Sequence, residues 1–255
     1  MTTLKDYEPG SVKVMLLGPS GSGKTCLATT LGKRAVVLDL NNGLASAKTF
    51  KDKWTNDRAL CEVKKCWGEG GPEAMWRRTV GYVRSFIASP QRPALVIDGL
   101  SDLLEASLGA VLTMSGKWVD TNPKNSTQAE WGQAISQIER LLWKIKSSST
   151  MVVFIAHTKL IEKDGLQKEV LGCYGTTLPG KITAMFDEVW YTKVSGFGNK
   201  RSWSLQSQSS AGVECKTRRQ LPEGTDMNLG MDKLLELVDW KWKDKEPKAA
   251  DIGQK

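Results

Sequence analysis

Histidine is almost missing from this chain, and so is any metal-binding spacing. His157 is the only histidine, and the five cysteines, Cys26, Cys61, Cys66, Cys173 and Cys215, form no CxxC pair. Cys61 and Cys66 stand closest together, but no second pair or histidine cluster completes a zinc site. The odd count argues for reduced thiols rather than a disulfide framework. No apolar run approaches the ~20 residues that cross a bilayer. Met1 to Gly10 mixes acids and bases without the apolar stretch of a secretory signal. These absences set the expectation of a cytoplasmic protein with no membrane partner. No internal repeat is visible, which sets repeat architectures aside.

What is present is ordinary in bulk and unusual in detail. A chain of 255 residues, 40% apolar and 25% charged, is long enough to bury the core of one α/β domain. A net charge of +8 points to a polyanionic partner, with a merely solvated basic surface as the alternative. Ten tryptophans either fill the core or offer stacking surfaces.

Short apolar runs recur without polar alternation. Val12 to Leu17, Ala35 to Leu40, Ala94 to Asp98 and Met151 to Ala156 read as buried strands, and Leu60 to Lys64 as a shorter one. Between them lie helical patterns at Lys24 to Lys33, Pro72 to Ser89 and Gln128 to Lys146. Buried strands separated by helices predict an α/β fold, a mostly parallel twisted sheet with helices on both faces. After Phe186 the pattern changes to strands joined by Gly- and Ser-containing turns (Glu188 to Val194, Arg201 to Gln208, Val213 to Thr217), which predicts an antiparallel C-terminal extension. Thr113 to Thr127 and Thr158 to Gly180 read as long polar loops, usually functional in a compact domain. The expected organisation is an N-terminal segment over residues 1–11, one domain over 12–240, and a charged tail over 241–255.

One motif is specific by itself. Gly18-Pro19-Ser20-Gly21-Ser22-Gly23-Lys24-Thr25 matches GxxxxGK[ST] between a predicted strand and a predicted helix. The glycines let successive N–H groups turn inward around phosphates. Lys24 would reach the β and γ phosphates, and the Thr25 hydroxyl would ligate Mg²⁺. With Cys26 next in the chain, this run is the expected site for ATP. Asp98 ends the third apolar strand and suits the second metal-holding position, the alternative being a cap on the following turn.

At these residues the chain resembles the RecA-like ATPases, and more narrowly the short phage-encoded members that act in single-strand annealing and recombination. The resemblance runs from about Val12 to Leu221 on GPSGSGKT, VVLDLNNGLAS, LVIDGLSDL, WGQAISQIERLLWKI, VVFIAHTK and FDEVWYTK. It implies a RecA-like P-loop core, ATP at subunit boundaries, and a ring or filament as the oligomer. It puts His157 and Thr158 at the γ-phosphate sensor, the alternative being a histidine that merely finishes a strand. It places single-stranded DNA loops on the two polar stretches, with Lys117, Trp118 and Lys124 in the first and Lys159, Lys163, Lys168 and Lys181 in the second. Thr176, Thr177 and Gly180 would add backbone-level phosphate contacts there. The same stretches read as solvated loops if Glu162, Asp164 and Glu169 dilute the charge enough. Lys216, Arg218 and Arg219 fall where such assemblies reach a neighbour's γ-phosphate, with a plain basic turn as the alternative.

The chain departs from the family at one position. Asn41 stands where the water-polarising glutamate is expected, and an amide cannot accept a proton at neutral pH. Asp39 is a conceivable substitute that the strand pattern points elsewhere; Asp102 and Glu105 are others. The expected catalytic set is therefore Lys24, Asn41 and His157, with slow ATP hydrolysis. The implied function is a DNA recombination protein that binds or anneals single-stranded DNA as an ATP-dependent oligomer, in an infected bacterial host if phage-encoded. A single-strand-binding protein would be a natural partner. A DNA motor (helicase or packaging ATPase) and an ATP-dependent protein-assembly switch stay open as alternatives.

Overall fold

Apolar pentapeptides that cannot face water on either side form the middle of the molecule. The computed structural model describes residues 11–50, 52–117, 126–163, 165–173, 178–240 and 242, and only the backbone of Lys163 and Asn199. In chain order the elements are β1 (Lys13–Gly18), α1 (Lys24–Ala28), a 3₁₀ segment (Thr29–Arg34), β2 (Ala35–Asp39), α2 (Leu44–Thr49), α3 (Thr55–Ala59), β3 (Glu62–Lys65) and α4 (Gly71–Ala88). There follow β4 (Ala94–Asp98), α5 (Leu100–Met114), α6 (Gln128–Lys146), β5 (Met151–Lys163), β6 (Leu166–Leu171) and α7 (Leu178–Thr183). The last are β7 (Glu188–Ser195), β8 (Ser202–Gln206), β9 (Lys216–Thr217), β10 (Thr225–Asp226) and α8 (Met231–Leu237).

The main sheet runs β10-β8-β7-β1-β5-β4-β2-β3. From β7 to β3 every neighbouring pair is parallel, while β8, β9 and β10 add antiparallel edges. Side-chain alternation splits the core between two faces. Val14, Leu16, Val37, Val96 and Ile155 pack with Leu27 and Leu31 of the P-loop segment and with Leu234 of α8. Met15, Leu38, Ile97 and Phe154 pack instead with Val83 of α4, Leu103 of α5 and Ile138 of α6. Truncating one of these to alanine would cost about 2–5 kcal/mol. The α/β class, the mostly parallel sheet with helices on both faces and the antiparallel extension are therefore as the sequence implies. Among the described residues no helix is long and apolar enough to cross a membrane.

Several local expectations need correction. The helix expected over Lys24 to Lys33 ends at Ala28 and tightens to 3₁₀, because the Thr29 and Thr30 hydroxyls donate back to the carbonyls of Thr25 and Leu27, and Gly32 breaks the run at φ 55°. The predicted strand over Val213 to Thr217 shrinks to β9 and a single bridge between Val213 and Glu169. The described part of Thr158 to Gly180 is no long loop: β5 continues past the sheet and pairs with β6, so Thr158 to Lys163 and Leu166 to Leu171 form an antiparallel hairpin. Helix α5, unannounced by the sequence reading, takes up Thr113 and Met114 from the first expected loop. Helix α8 was also not anticipated. The expected contributions of Trp118, Lys124, Thr176 and Thr177 lie outside the described residues, as do all of the N-terminal segment but Ser11 and all of the charged tail but Trp242.

Candidate nucleotide site

The site forms where the C-terminal ends of β1, β2 and β4 meet the middle of β5, at Ile155 and His157. Gly18 leaves β1 at φ +148°, and a Cβ there would collide with Thr192 Oγ1 of β7. That hydroxyl also donates to Leu17 O (3.0 Å) and lies 2.5 Å from Ser22 Oγ, so the loop is braced from behind. Gly21 and Gly23 also have positive φ, which turns the loop back toward the cavity before α1 begins.

Lys24 is almost fully buried. Its ammonium donates to Gly18 O (2.8 Å), Pro19 O (2.7 Å) and Ser22 Oγ (3.3 Å), holding the loop open around its own charge. Burial pushes its pKa down to about 8, with the charge of Asp98 opposing. A cation kept in such a place by neutral carbonyls is short of a full counter-charge, which is what an incoming phosphate supplies.

Strands β1 and β4 are not neighbours, since β5 runs between them. Gly18 is in register with His157, and Asp98 with Ile155, so Thr25 and Asp98 meet over the middle of β5. Thr25 Oγ1 donates to Asp98 Oδ2 at 2.9 Å. Asp98 is 2% exposed, and burial raises its carboxyl to about 6; the Thr25 hydrogen bond opposes that rise and the Asp39 charge adds to it. A buried carboxyl beside one hydroxyl, both hard oxygen donors, fits Mg²⁺ shared with phosphates rather than an all-protein metal cage. Accordingly, the described residues contain no cluster of His, Cys, Asp and Glu able to hold a metal by itself.

His157 lines the same cavity, and burial and the Lys24 charge push its imidazole below the usual range while Asp102 opposes. Asn41 also lines the cavity; its Nδ2 donates to Asp102 Oδ2 (3.2 Å), and its Oδ1 accepts from Gly43 N (2.9 Å). Asp39 requires a correction: it lies on the nucleotide face of the sheet, paired in register with Asp98, not away from it. Its oxygens are nevertheless taken by Gly43 N (3.2 Å) and Trp67 Nε1 (3.0 Å), one layer behind the cavity. Glu105 is exposed on α5.

The cavity holds about 500 Å³, and half of its wall was not foreseen. Ser20 to Cys26 form the phosphate side; Phe50, Trp54, Trp203 and Met227 form an apolar side, with Arg58 and Arg201 beside them. Phe50 and Trp203 meet edge to face at 5.9 Å. Arg58 is pinned to Asp52 by contacts of 2.6 and 2.8 Å and donates to Cys26 O (3.0 Å). No sequence motif joins these aromatics, because they come from separate segments that only the fold brings together.

The remaining expected residues are placed elsewhere. Lys117 is bound to Glu130 (2.7 Å), the carboxylate that also closes the capping box of α6 with Thr127. Lys181 belongs to α7 and pairs with Glu139 of α6 (3.7 Å). Lys159 of β5 donates to Cys173 O, while Lys168 lies on β6 and Lys163 pairs with Leu166 at the hairpin end. Lys216, Arg218 and Arg219 sit at the start of β7, the opposite end of the sheet from the chain's own P-loop. Lys216 donates to Phe186 O (2.7 Å), Arg218 pairs with Asp187 (3.0 Å), and Arg219 lies over the Trp240 ring. Buried Glu188 fixes this turn by accepting from the backbone N–H of both Arg218 and Arg219 (3.0 Å each).

A family model of the AAA domain, AAA_24, matches residues 11–219, which takes in the whole P-loop corner, the hairpin and the basic turn. No curated protein matches the chain. A strand–loop–helix phosphate cradle, a buried lysine in need of an anion and a Thr–Asp pair suited to Mg²⁺ agree with that match, and the chain belongs to the AAA_24 family of AAA domains, a nucleotide-binding P-loop ATPase domain.

Proposed function

We propose that this domain binds ATP with Mg²⁺ and uses the nucleotide to set a DNA-holding hairpin, as an oligomeric, phage-type RecA-like recombination protein that binds or anneals single strands. Thr25 and Asp98 would hold the cation, which when bound supplies charge neutralisation between the phosphates. Lys24 exchanges its carbonyl partners for phosphate oxygens. Phe50, Trp54 and Trp203 give the base an apolar, aromatic wall.

The observation that carries the reading is the continuity of β5. One uninterrupted strand runs from the sheet through His157, on the cavity wall, into the hairpin at Thr158 to Lys163. Directly opposed residues of an antiparallel ladder share a face. Lys159 with Val170 and Ile161 with Lys168 thus form one face, and Thr158 with Leu171 and Leu160 with Glu169 the other. Glu169 Oε2 accepts from Thr158 Oγ1 (2.8 Å) and from Tyr191 OH (2.7 Å), which leaves the acid turned to the body and the two lysines opposite it. A basic and apolar face suits a sequence-blind grip on a phosphate backbone.

The test is salt-dependent binding to a single-stranded oligonucleotide with and without ATP. Replacing Lys159, Lys163 and Lys168 by alanine is expected to weaken binding and flatten its salt dependence by about 0.7 in log–log slope per lost contact. ATP affinity of the free protein should be unchanged. An unaltered slope would remove the hairpin from the DNA interface.

A further inference from the structure

On the sheet face opposite the P-loop helix, α4 and α6 leave a groove of about 300 Å³ between them. Its floor is apolar: Trp76 and Val80 from α4 and Leu141 from α6. Its rim is cationic, with Arg84, Arg140 and Lys144, and its one remaining lining residue, Gln137, is neutral. All three rim cations are exposed, and none makes an ion pair among the described residues. The nearest acids on these helices are already used, Glu73 by Arg77 and Glu139 by Lys181. The rim charge is therefore uncompensated by the groove's own surroundings.

We propose that this groove docks an acidic peptide segment of a partner protein, with one or two apolar side chains on the floor and carboxylates on the rim. Arg84 and Arg140 present planar forks that match carboxylates bidentately, and Lys144 adds a point charge. Because the rim is wet, the charges steer and orient the segment, while the burial of an apolar side chain against Trp76, Val80 and Leu141 supplies the hold. The chain's own ends do not suit the groove. Met1–Gly10 sets Lys5 against Asp6 and Glu8, and Lys241–Lys255 carries more lysine than acid. A nucleic acid fits the floor poorly, since Val80 and Leu141 offer a base no plane to stack on and only Trp76 does. The site is separate from the nucleotide cavity, so its occupation needs no change at Lys24.

The full chain is titrated into a short fluorescein-labelled peptide of Asp and Ser carrying one Phe and one Ile, read by anisotropy. Saturable binding is expected, weakened about tenfold or more in Arg84→Glu with Arg140→Glu, while ATP affinity stays as in the unmodified protein and reports that the fold is intact. The same peptide with Phe and Ile replaced by Ser should bind far more weakly. Equal binding by the charge-reversed protein, or by the peptide without apolar residues, overturns the proposal. So does peptide binding that survives the reversal while oligonucleotide binding is lost, which would assign the groove to nucleic acid. A shift in sedimentation with no peptide binding would assign it to a second copy of the chain.

Discussion

The two halves of β5 can be compared directly, because they are one strand in two environments. Met151 to Ala156 lies between β1 and β4 and is fully buried, every residue apolar and every neighbour parallel. Among the described residues Thr158 to Lys163 has only β6 beside it, and there Leu160 is 64% exposed. The buried half fixes the cavity: Ile155 and His157 cannot move without disturbing the register of three strands. The outer half is tied to β6 by Thr158 Oγ1 on Glu169, and the hairpin reaches the body through Tyr191 OH on the same carboxylate and through Glu169 N–H on Gly212 O. Burial makes the first a platform, and lack of burial makes the second adjustable at low cost. A nucleotide-dependent ATPase needs both, joined by a short link.

The largest expected effect tests whether the platform lacks a base. Asn41 borders the cavity, but its amide is committed to Asp102 and Gly43. The unmodified protein should hydrolyse ATP slowly, even assembled on single-stranded DNA. Asn41→Glu should raise turnover, within the roughly 10²–10⁴-fold that a general base supplies, without a matching change in ATP affinity. The competing carboxylate is now Asp102, raised in pKa by burial and adjacent to Asn41, since Asp39 is engaged behind the cavity. Brisk hydrolysis that Asp102→Asn abolishes and Asn41→Ala spares would move the role to Asp102.

Next in size is the loss of Lys24. Lys24→Ala removes charge-assisted contacts worth about 1.5–3 kcal/mol each, so ATP affinity by calorimetry should fall at least tenfold. Single-strand binding without ATP should persist, since the hairpin's outer half does not rest on Lys24. If both fall together, platform and hairpin are one cooperative unit and the comparison fails.

A smaller effect follows from Asp98. Only its ionised form can share a cation with Thr25, and burial raises its carboxyl to about 6. The Mg²⁺ enhancement of ATP binding should be full above pH 7 and decline as pH falls through 6, approaching tenfold per unit below it. Titrating Mg²⁺ at fixed ATP across that range checks the sign; an enhancement that grows on acidification would remove Asp98 from the metal position.

The same contrast explains what could be read from the sequence. Buried parallel strands announce themselves, because a residue covered on both faces must be apolar; Ala94 to Asp98 and Gln128 to Lys146 are found with the boundaries their patterns imply. The P-loop is legible because phosphate binding fixes residue types at fixed spacing. The hairpin reads as a loop in the sequence, since strands only partly covered carry no strict apolar requirement and Lys-Leu-Ile-Glu-Lys shows no strand pattern. The aromatic wall of Phe50, Trp54 and Trp203 was invisible for another reason: tertiary proximity leaves no mark on local sequence. Lys117 and Lys181 read as loop charges in the sequence because their partners, Glu130 and Glu139, lie on a helix whose packing the sequence does not reveal.

The smallest effect tests the link itself. Tyr191 and Thr192 are consecutive on β7 and face opposite ways. Thr192 braces the P-loop through Ser22 Oγ and Leu17 O, while Tyr191 OH donates to Glu169 on the hairpin. Burial and the neighbouring carboxylate push the phenol pKa upward, so it stays a donor at every working pH. Tyr191→Phe deletes that one bond, keeps the ring, and leaves Thr158 Oγ1 on Glu169. ATP affinity alone should hardly change, because no cavity residue is touched. What should shrink is the factor by which ATP improves single-strand binding, by an amount in the range of about 0.5–2 kcal/mol that such intermediate residues carry. Lys159→Ala supplies the contrast: it should weaken DNA binding by the same factor with and without ATP. If Tyr191→Phe behaves like Lys159→Ala, the tyrosine is only a brace for the hairpin, and nucleotide control must run along β5 through His157 and Thr158. A cycle combining Tyr191→Phe with Thr158→Val separates the two routes. Additive losses of coupling indicate independent routes, whereas a double variant no worse than the poorer single variant places both hydroxyls on the shared Glu169 path.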